Sequence, residues 1–173
     1  MYTTERKKPM NIVLVGMPAC GKSTVGVVLA KTMNKDFVDT DITIQQREGH
    51  TLQDIINLHG NEYFHRLEER VLLDFDGKDC VVATGGSAIY YPAAIEKFKE
   101  KGKVVYINVS LDTILERLNN IKTRGVTLKK GQTLADLYAE RTPLYESRSD
   151  IVIDADGLSV EEIVEEIVRK TML

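Results

Sequence analysis

Gly16-Met17-Pro18-Ala19-Cys20-Gly21-Lys22-Ser23 lies between the apolar run Ile12-Val13-Leu14-Val15 and a stretch, residues 24–33, with Val25, Val28, Leu29 and Met33 at helical spacing. It has the form G-x-x-x-x-G-K-[ST], and the strand before it and helix after it are the setting that gives this pattern meaning. The two glycines let the backbone curl until successive N–H groups point inward, where they can meet phosphate oxygens. The amino end of the following helix adds partial positive charge. Lys22 can reach the β- and γ-phosphates of a nucleoside triphosphate, and Ser23 can ligate Mg²⁺. The competing reading is a tight glycine turn with a solvated lysine; the agreement of both flanks with the motif stands against it.

Working outward, short apolar runs alternate with longer amphipathic ones. Phe37-Val38 reads as a second strand, residues 80–83 as a third, 104–109 as a fourth and 151–153 as a fifth. Helical patterns fill 51–58 and 62–75 on either side of Gly60, then about 92–101, 112–118 and 134–145, the last with a break or kink expected at Pro143. Ser159 with Glu162 at capping-box spacing opens a final helix. Strands that each lead into a helix imply an α/β three-layer sandwich, a five-stranded parallel sheet covered on both faces. Residues 119–132 are the least periodic and carry Lys122, Arg124, Lys129 and Lys130 with two glycines, the composition of a flexible basic lid.

The 173 residues suit a single domain with a sizeable core. A net charge of -3 gives no general attraction to nucleic acid, and no apolar run approaches membrane-spanning length. Cys20 and Cys80 form neither a disulfide framework nor a zinc cluster, so a reducing cytoplasm is the expected compartment. Cys20 stands inside the phosphate loop, either as a redox-sensitive thiol or as a tolerated filler. A phosphate loop alone leaves kinase, motor and GTPase open. One small domain without an N-K-x-D guanine motif favours a small-molecule kinase.

An acceptor side is also visible. Asp39-Thr40-Asp41 ends the second strand, at the sheet edge that faces the ligand crevice in open α/β folds. One carboxylate there could hold Mg²⁺ through water while the other orients or deprotonates an acceptor hydroxyl. The plainer reading is that Asp41 caps the next helix. Thr84-Gly85-Gly86-Ser87 ends the third strand, where glycines let a substrate approach the backbone closely or simply make a turn.

Several of these pieces occur together, in order: the loop 16–24, Phe37-Val38-Asp39-Thr40-Asp41, Gly60-Asn61-Glu62-Tyr63-Phe64-His65-Arg66-Leu67-Glu68, Ala83-Thr84-Gly85-Gly86 and Arg141-Thr142-Pro143-Leu144-Tyr145. With them the chain resembles the shikimate kinases from about residue 11 to 167. The loop is shared with thousands of enzymes; the other segments in this order are far more specific. The resemblance implies a P-loop kinase of nucleoside-monophosphate-kinase type, strand order 2-3-1-4-5, with a lid at about 119–132 and an acceptor-binding helical region at about 41–75. It implies transfer of phosphate from ATP, with Mg²⁺, to the 3-hydroxyl of shikimate. The implied ATP-binding residues are Pro18, Ala19, Cys20, Gly21, Lys22, Ser23, Thr24, Arg117 near the adenine, and Arg124 reaching the phosphates from the lid. Ser23 and Asp39 would hold the metal. Asp41 would hold the acceptor hydroxyl, Gly86 would offer backbone, and His65 and Arg141 would bind the acceptor. Lys22, Asp41 and Arg124 would carry the catalysis. By the same analogy the enzyme is expected to be a monomer that binds neither nucleic acid nor membrane.

Three positions depart from the family pattern. His65 stands where the family has the first of two arginines, and an ordinary imidazole is charged only below about pH 6.5 and has no guanidinium fork. Ser87 replaces a third glycine, which narrows the pocket or adds a donor. Gly125 removes a lid proline that would follow Arg124. All three touch the acceptor or the lid, so a related kinase for another small hydroxy acid, such as homoserine or a sugar acid, is the alternative; a catalytically weak ATP-binding module is a second.

Overall fold

The computed structural model describes residues 9–119 and 128–172. The strands are β1 (Asn11–Val15), β2 (Asp36–Asp39), β3 (Cys80–Ala83), β4 (Gly102–Asn108) and β5 (Ile151–Asp154). All pair in parallel in the order β2-β3-β1-β4-β5. The centre is the most apolar part for a physical reason. β1 is covered on both faces, so all five of its residues are buried, and Val13 sits in register between Val82 and Val104. The edge strands β2 and β5 are only partly covered and tolerate aspartates at their ends.

The helices are α1 (Lys22–Met33), α2 (Thr40–Glu48), α3 (Leu52–Asp74), α4 (Pro92–Lys101), α5 (Leu111–Asn119), α6 (Leu134–Arg148) and α7 (Val160–Thr171), with a 3₁₀ turn at Gly86–Tyr90. α1 packs against α7 on one face of the sheet, and α4 and α6 lie against the central strands. A second, smaller apolar cluster, Ile44, Ile55, Phe64 and Val71, joins α2 to α3 and stands apart from the main core. It gives the acceptor-side helices their own support. Among the described residues no helix is long and apolar enough to cross a membrane.

Two expectations need refinement or correction. α2 falls within the helical region at about 41–75 that the resemblance implies, but the residue pattern did not mark it: only Thr40 and Ile44 of its nine residues are buried, so it carries almost no amphipathic signal. Pro143 does not break α6, which runs through it to Arg148. The buried ring of Tyr145 stacks on Tyr106 at 5.0 Å and its hydroxyl donates to Gly86 O at 2.5 Å, so tertiary anchoring just beyond the proline offsets the lost helical bond. Gly60 does interrupt α3, with φ 83° and ψ 169°. The final helix is capped as its sequence predicts: Ser159 Oγ accepts from Glu162 N at 3.2 Å, and Glu162 accepts from Ser159 N at 2.7 Å. Ser159→Ala should lower unfolding stability by about 1 kcal/mol in urea titration and leave turnover unchanged, because the cap lies away from the cleft.

Candidate active site

The carboxyl ends of the strands deliver the functional residues to one edge. β1 runs into the glycine loop. Gly16 has φ 151°, and a Cβ there would lie 2.8 Å from both Cys20 Sγ and Ile107 O, so conformation and space both require glycine. Gly21, at φ 102°, is the N-cap of α1 and supplies no side-chain acceptor; the first turn has no acidic residue either. The opening amides of α1 therefore have no side-chain cap, the condition that suits phosphate oxygens. Lys22 is 8% exposed and arches over the loop, donating to Gly16 O and Met17 O at 2.8 Å each and approaching Cys20 Sγ at 3.6 Å. Pro18, Ala19, Gly21, Lys22 and Ser23 line a cavity of about 580 Å³. Cys20 and Thr24 do not: Cys20 is buried beneath the loop and Thr24 faces solvent on α1. Arg117 of α5 lies behind the loop, its Nη1 donating to Ala19 O at 3.1 Å. Arg124 lies outside the described residues.

Asp39 divides its carboxylate between two tasks. Oδ1 accepts from Asp41 N at 2.9 Å and Ile42 N at 3.4 Å, capping α2, and Oδ2 accepts from Ser23 Oγ at 2.7 Å. Asp39, not Asp41, is therefore the cap, and the plainer reading of Asp41 fails. A hydroxyl and a carboxylate oxygen in contact at the phosphate loop form the sparse oxygen set that suits Mg²⁺, which takes its remaining ligands from water and phosphate. Among the described residues no group of three or more His, Cys, Asp or Glu forms a metal cluster.

The acceptor side meets the phosphate loop at the glycine turn after β3. A Cβ on Gly85 would stand 2.9 Å from Asp41 Oδ1 and 2.5 Å from Glu68 Oε1. One on Gly86 would stand 2.8 Å from Arg141 Nη1 and 2.9 Å from Pro18 Cδ. Asp41, Arg141 and the phosphate loop thus converge on two consecutive glycines, and close approach is what those glycines permit. Asp41 and Gly86 line the first cavity. His65 and Arg141 line a second, of about 420 Å³, together with Tyr90 and Tyr91. The predicted acceptor residues are therefore split between two cavities that adjoin at Gly86.

Arg141 is 3% exposed. Its guanidinium lies 5.2 Å from the Tyr90 ring centre, and Nε donates to Tyr90 Oη at 3.4 Å. Among the described residues no carboxylate is within ion-pair distance of it. A buried cation without a counter-charge is matched to an anionic ligand. Tyr145, one turn further along α6, ties the helix to Gly86 O, which holds Arg141 at the glycine turn.

Sequence reasoning missed the network behind His65. Glu68 is 1% exposed and accepts from the hydroxyls of Tyr91, at 2.8 Å, and of Ser87. Tyr91 Oη also lies 3.0 Å from His65 Nδ1. Ser87 adds a donor, as one reading expected, but to Glu68; it lines neither cavity. The available signal was the spacing of His65 and Glu68, three apart on one helix face. Arg66 is exposed and lines neither cavity; it pairs at 2.8 Å with Glu62, which borders the second one.

Comparison with known proteins gives the family and the fold. The family described as "Shikimate kinase" matches residues 18–172. A shikimate kinase of Francisella tularensis subsp. novicida is 36% identical over 161 residues, covering 91% of this chain and 92% of the relative. The structure of shikimate kinase from Acinetobacter baumannii in complex with shikimate superposes with a TM-score of 0.87 at 31% identity, covering 94% of this chain and 93% of that one. Shikimate kinase from Aquifex aeolicus gives a TM-score of 0.78 at 33% identity, with coverage of 92% and 95%.

Proposed function

The chain belongs to the shikimate kinase family, and from that membership we propose that it transfers the γ-phosphate of ATP to the 3-hydroxyl of shikimate. The observation that carries the reading is the convergence of Asp41, Arg141 and Pro18 on Gly85 and Gly86, which sets acceptor groups directly against the phosphate loop.

Each residue then has a task set by its chemistry. The amides of the loop and Lys22 bind the β- and γ-phosphates; Lys22 exchanges its two carbonyl partners for phosphate oxygens and carries positive charge to where negative charge spreads during transfer. Ser23 and Asp39 would hold Mg²⁺, which when bound would supply positive charge to neutralise the phosphates. Arg141 binds the acceptor's carboxylate, a charge-assisted contact made strong by burial. That contact orients the ring so that Asp41 accepts the proton of the hydroxyl that attacks phosphorus. Arg117 supports the loop through its hydrogen bond to Ala19 O.

The test is a panel of small hydroxy acids with ATP and Mg²⁺, read by ADP formation. Shikimate should give turnover well above the ATP-only background, with homoserine and sugar acids near it. Background rates with shikimate beside turnover with another hydroxy acid would overturn the acceptor assignment and leave the phosphotransferase chemistry standing.

A further inference from the structure

His65 occupies the second cavity with Arg141, and its hydrogen bonding restricts what it can do there. Tyr91 has a single hydroxyl proton. It points to Glu68 Oε2 at 2.8 Å, and burial together with the neighbouring Glu68 charge pushes the phenol far above its ordinary pKa, so the proton stays. The Tyr91 oxygen can therefore meet His65 Nδ1, 3.0 Å away, only as an acceptor. Nδ1 must carry a hydrogen. In a neutral ring that leaves Nε2 as a bare lone pair, and Nε2 is the nitrogen left for a ligand.

We infer that His65 is a specificity-determining residue whose tautomer is fixed by Tyr91 and Glu68, so that it binds the acceptor's carboxylate only as the imidazolium. This rests on the acceptor being shikimate, a carboxylate. A neutral ring with its proton on Nε2 could donate to the carboxylate; the one fixed here presents a lone pair and repels it. An arginine at this position would stay charged at every working pH. The charged groups around the ring set the balance. From α3, Glu68 stands 3.8 Å from Nδ1, while Glu62 is paired with Arg66. From the turn before α4, Tyr90 and Tyr91 are neutral hydroxyls. From α6, Arg141 opposes a second positive charge, and Glu140 is engaged by Tyr90 and, at 3.9 Å, by Lys129. Once an anion lies between Arg141 and His65, the opposition of Arg141 is offset.

The sign follows directly. Below the range in which the ring titrates, KM for the acceptor is low. Above it, KM climbs by up to tenfold per pH unit and levels off where Arg141 alone holds the carboxylate. Losing one charge-assisted contact corresponds to about 10- to 100-fold in binding. The experiment is steady-state kinetics of the whole enzyme with shikimate, ATP and Mg²⁺ from pH 6 to 9, beside His65→Arg. ¹⁵N NMR of the histidine rings at the high-pH end, with His65→Arg identifying the signal, completes it. In the wild type KM for shikimate should rise about tenfold or more while kcat and KM for ATP change much less; His65→Arg should keep KM low and flat. The His65 spectrum at high pH should show hydrogen on Nδ1 and a bare Nε2. A flat KM in the wild type, the same rise in His65→Arg, or hydrogen on Nε2 at high pH would each overturn the inference. Absence of turnover with shikimate at any pH would instead overturn the acceptor assignment, and the NMR result would still decide the tautomer.

Discussion

Lys22→Ala should lower kcat for phosphoryl transfer by about 10²–10³-fold or more, the cost of removing one preorganised charge from a developing anion. The reason is positional. The Lys22 ammonium is nearly buried and held over the loop by the Gly16 and Met17 carbonyls, so its charge already stands at the phosphate loop before it exchanges them for phosphate oxygens. Alanine loses that charge and leaves both carbonyls without their donor, so a second effect is expected: a stability loss of about 1–3 kcal/mol. Circular dichroism melting separates the two. A folded Lys22→Ala protein with near wild-type kcat would show that the loop's amides alone carry the phosphate chemistry.

Asp41→Asn should reduce kcat by about 10²–10⁴-fold, the range for a lost general base, with little change in ATP affinity. Asparagine keeps the shape beside Gly85, where Asp41 Oδ1 lies 2.9 Å from a would-be Cβ, so the pocket should remain open. The α2 cap should be unaffected, because Asp39 performs it through the Asp41 backbone amide rather than its side chain. The variant thus isolates the carboxylate's charge. Rapid-quench measurement of the first turnover checks this: the chemical step itself should slow. An unchanged single-turnover rate would assign Asp41 to substrate placement alone.

The parts of this molecule that could be read from sequence are those built from neighbouring residues. The phosphate loop was legible because strand, turn and helix are contiguous, and each glycine answers a local demand such as the φ of 102° at Gly21. The five strands were legible because a parallel sheet buried on both faces writes itself as apolar runs. The strand order came from the resemblance, since pairing between β1 and β4 spans some ninety residues that no local pattern connects. What stayed hidden depends on contacts between distant segments. α2 carries almost no amphipathic signal and is held by an aspartate cap and one small cluster. Pro143 looks like a break until the Tyr145 anchor to Gly86 is seen. The Glu68 network needs residues 65, 68, 87 and 91 from two elements, and only their packing shows that Ser87 turns away from the cavity.

His65 shows the limit most plainly. Its replacement of an arginine was visible from sequence and suggested a changed acceptor. The structure gives a narrower reading, because Arg141 is buried with no carboxylate partner among the described residues while the histidine ring is tied to Tyr91. The departure then concerns the conditions under which the carboxylate is held rather than the reaction performed.

The most direct test of the shared cleft is a crystal structure with shikimate and ADP bound. The 3-hydroxyl should lie within hydrogen-bonding distance of Asp41 and face the phosphate loop, with the carboxylate on Arg141. Shikimate bound with that hydroxyl turned away from Asp41, or its carboxylate away from Arg141, would contradict the account.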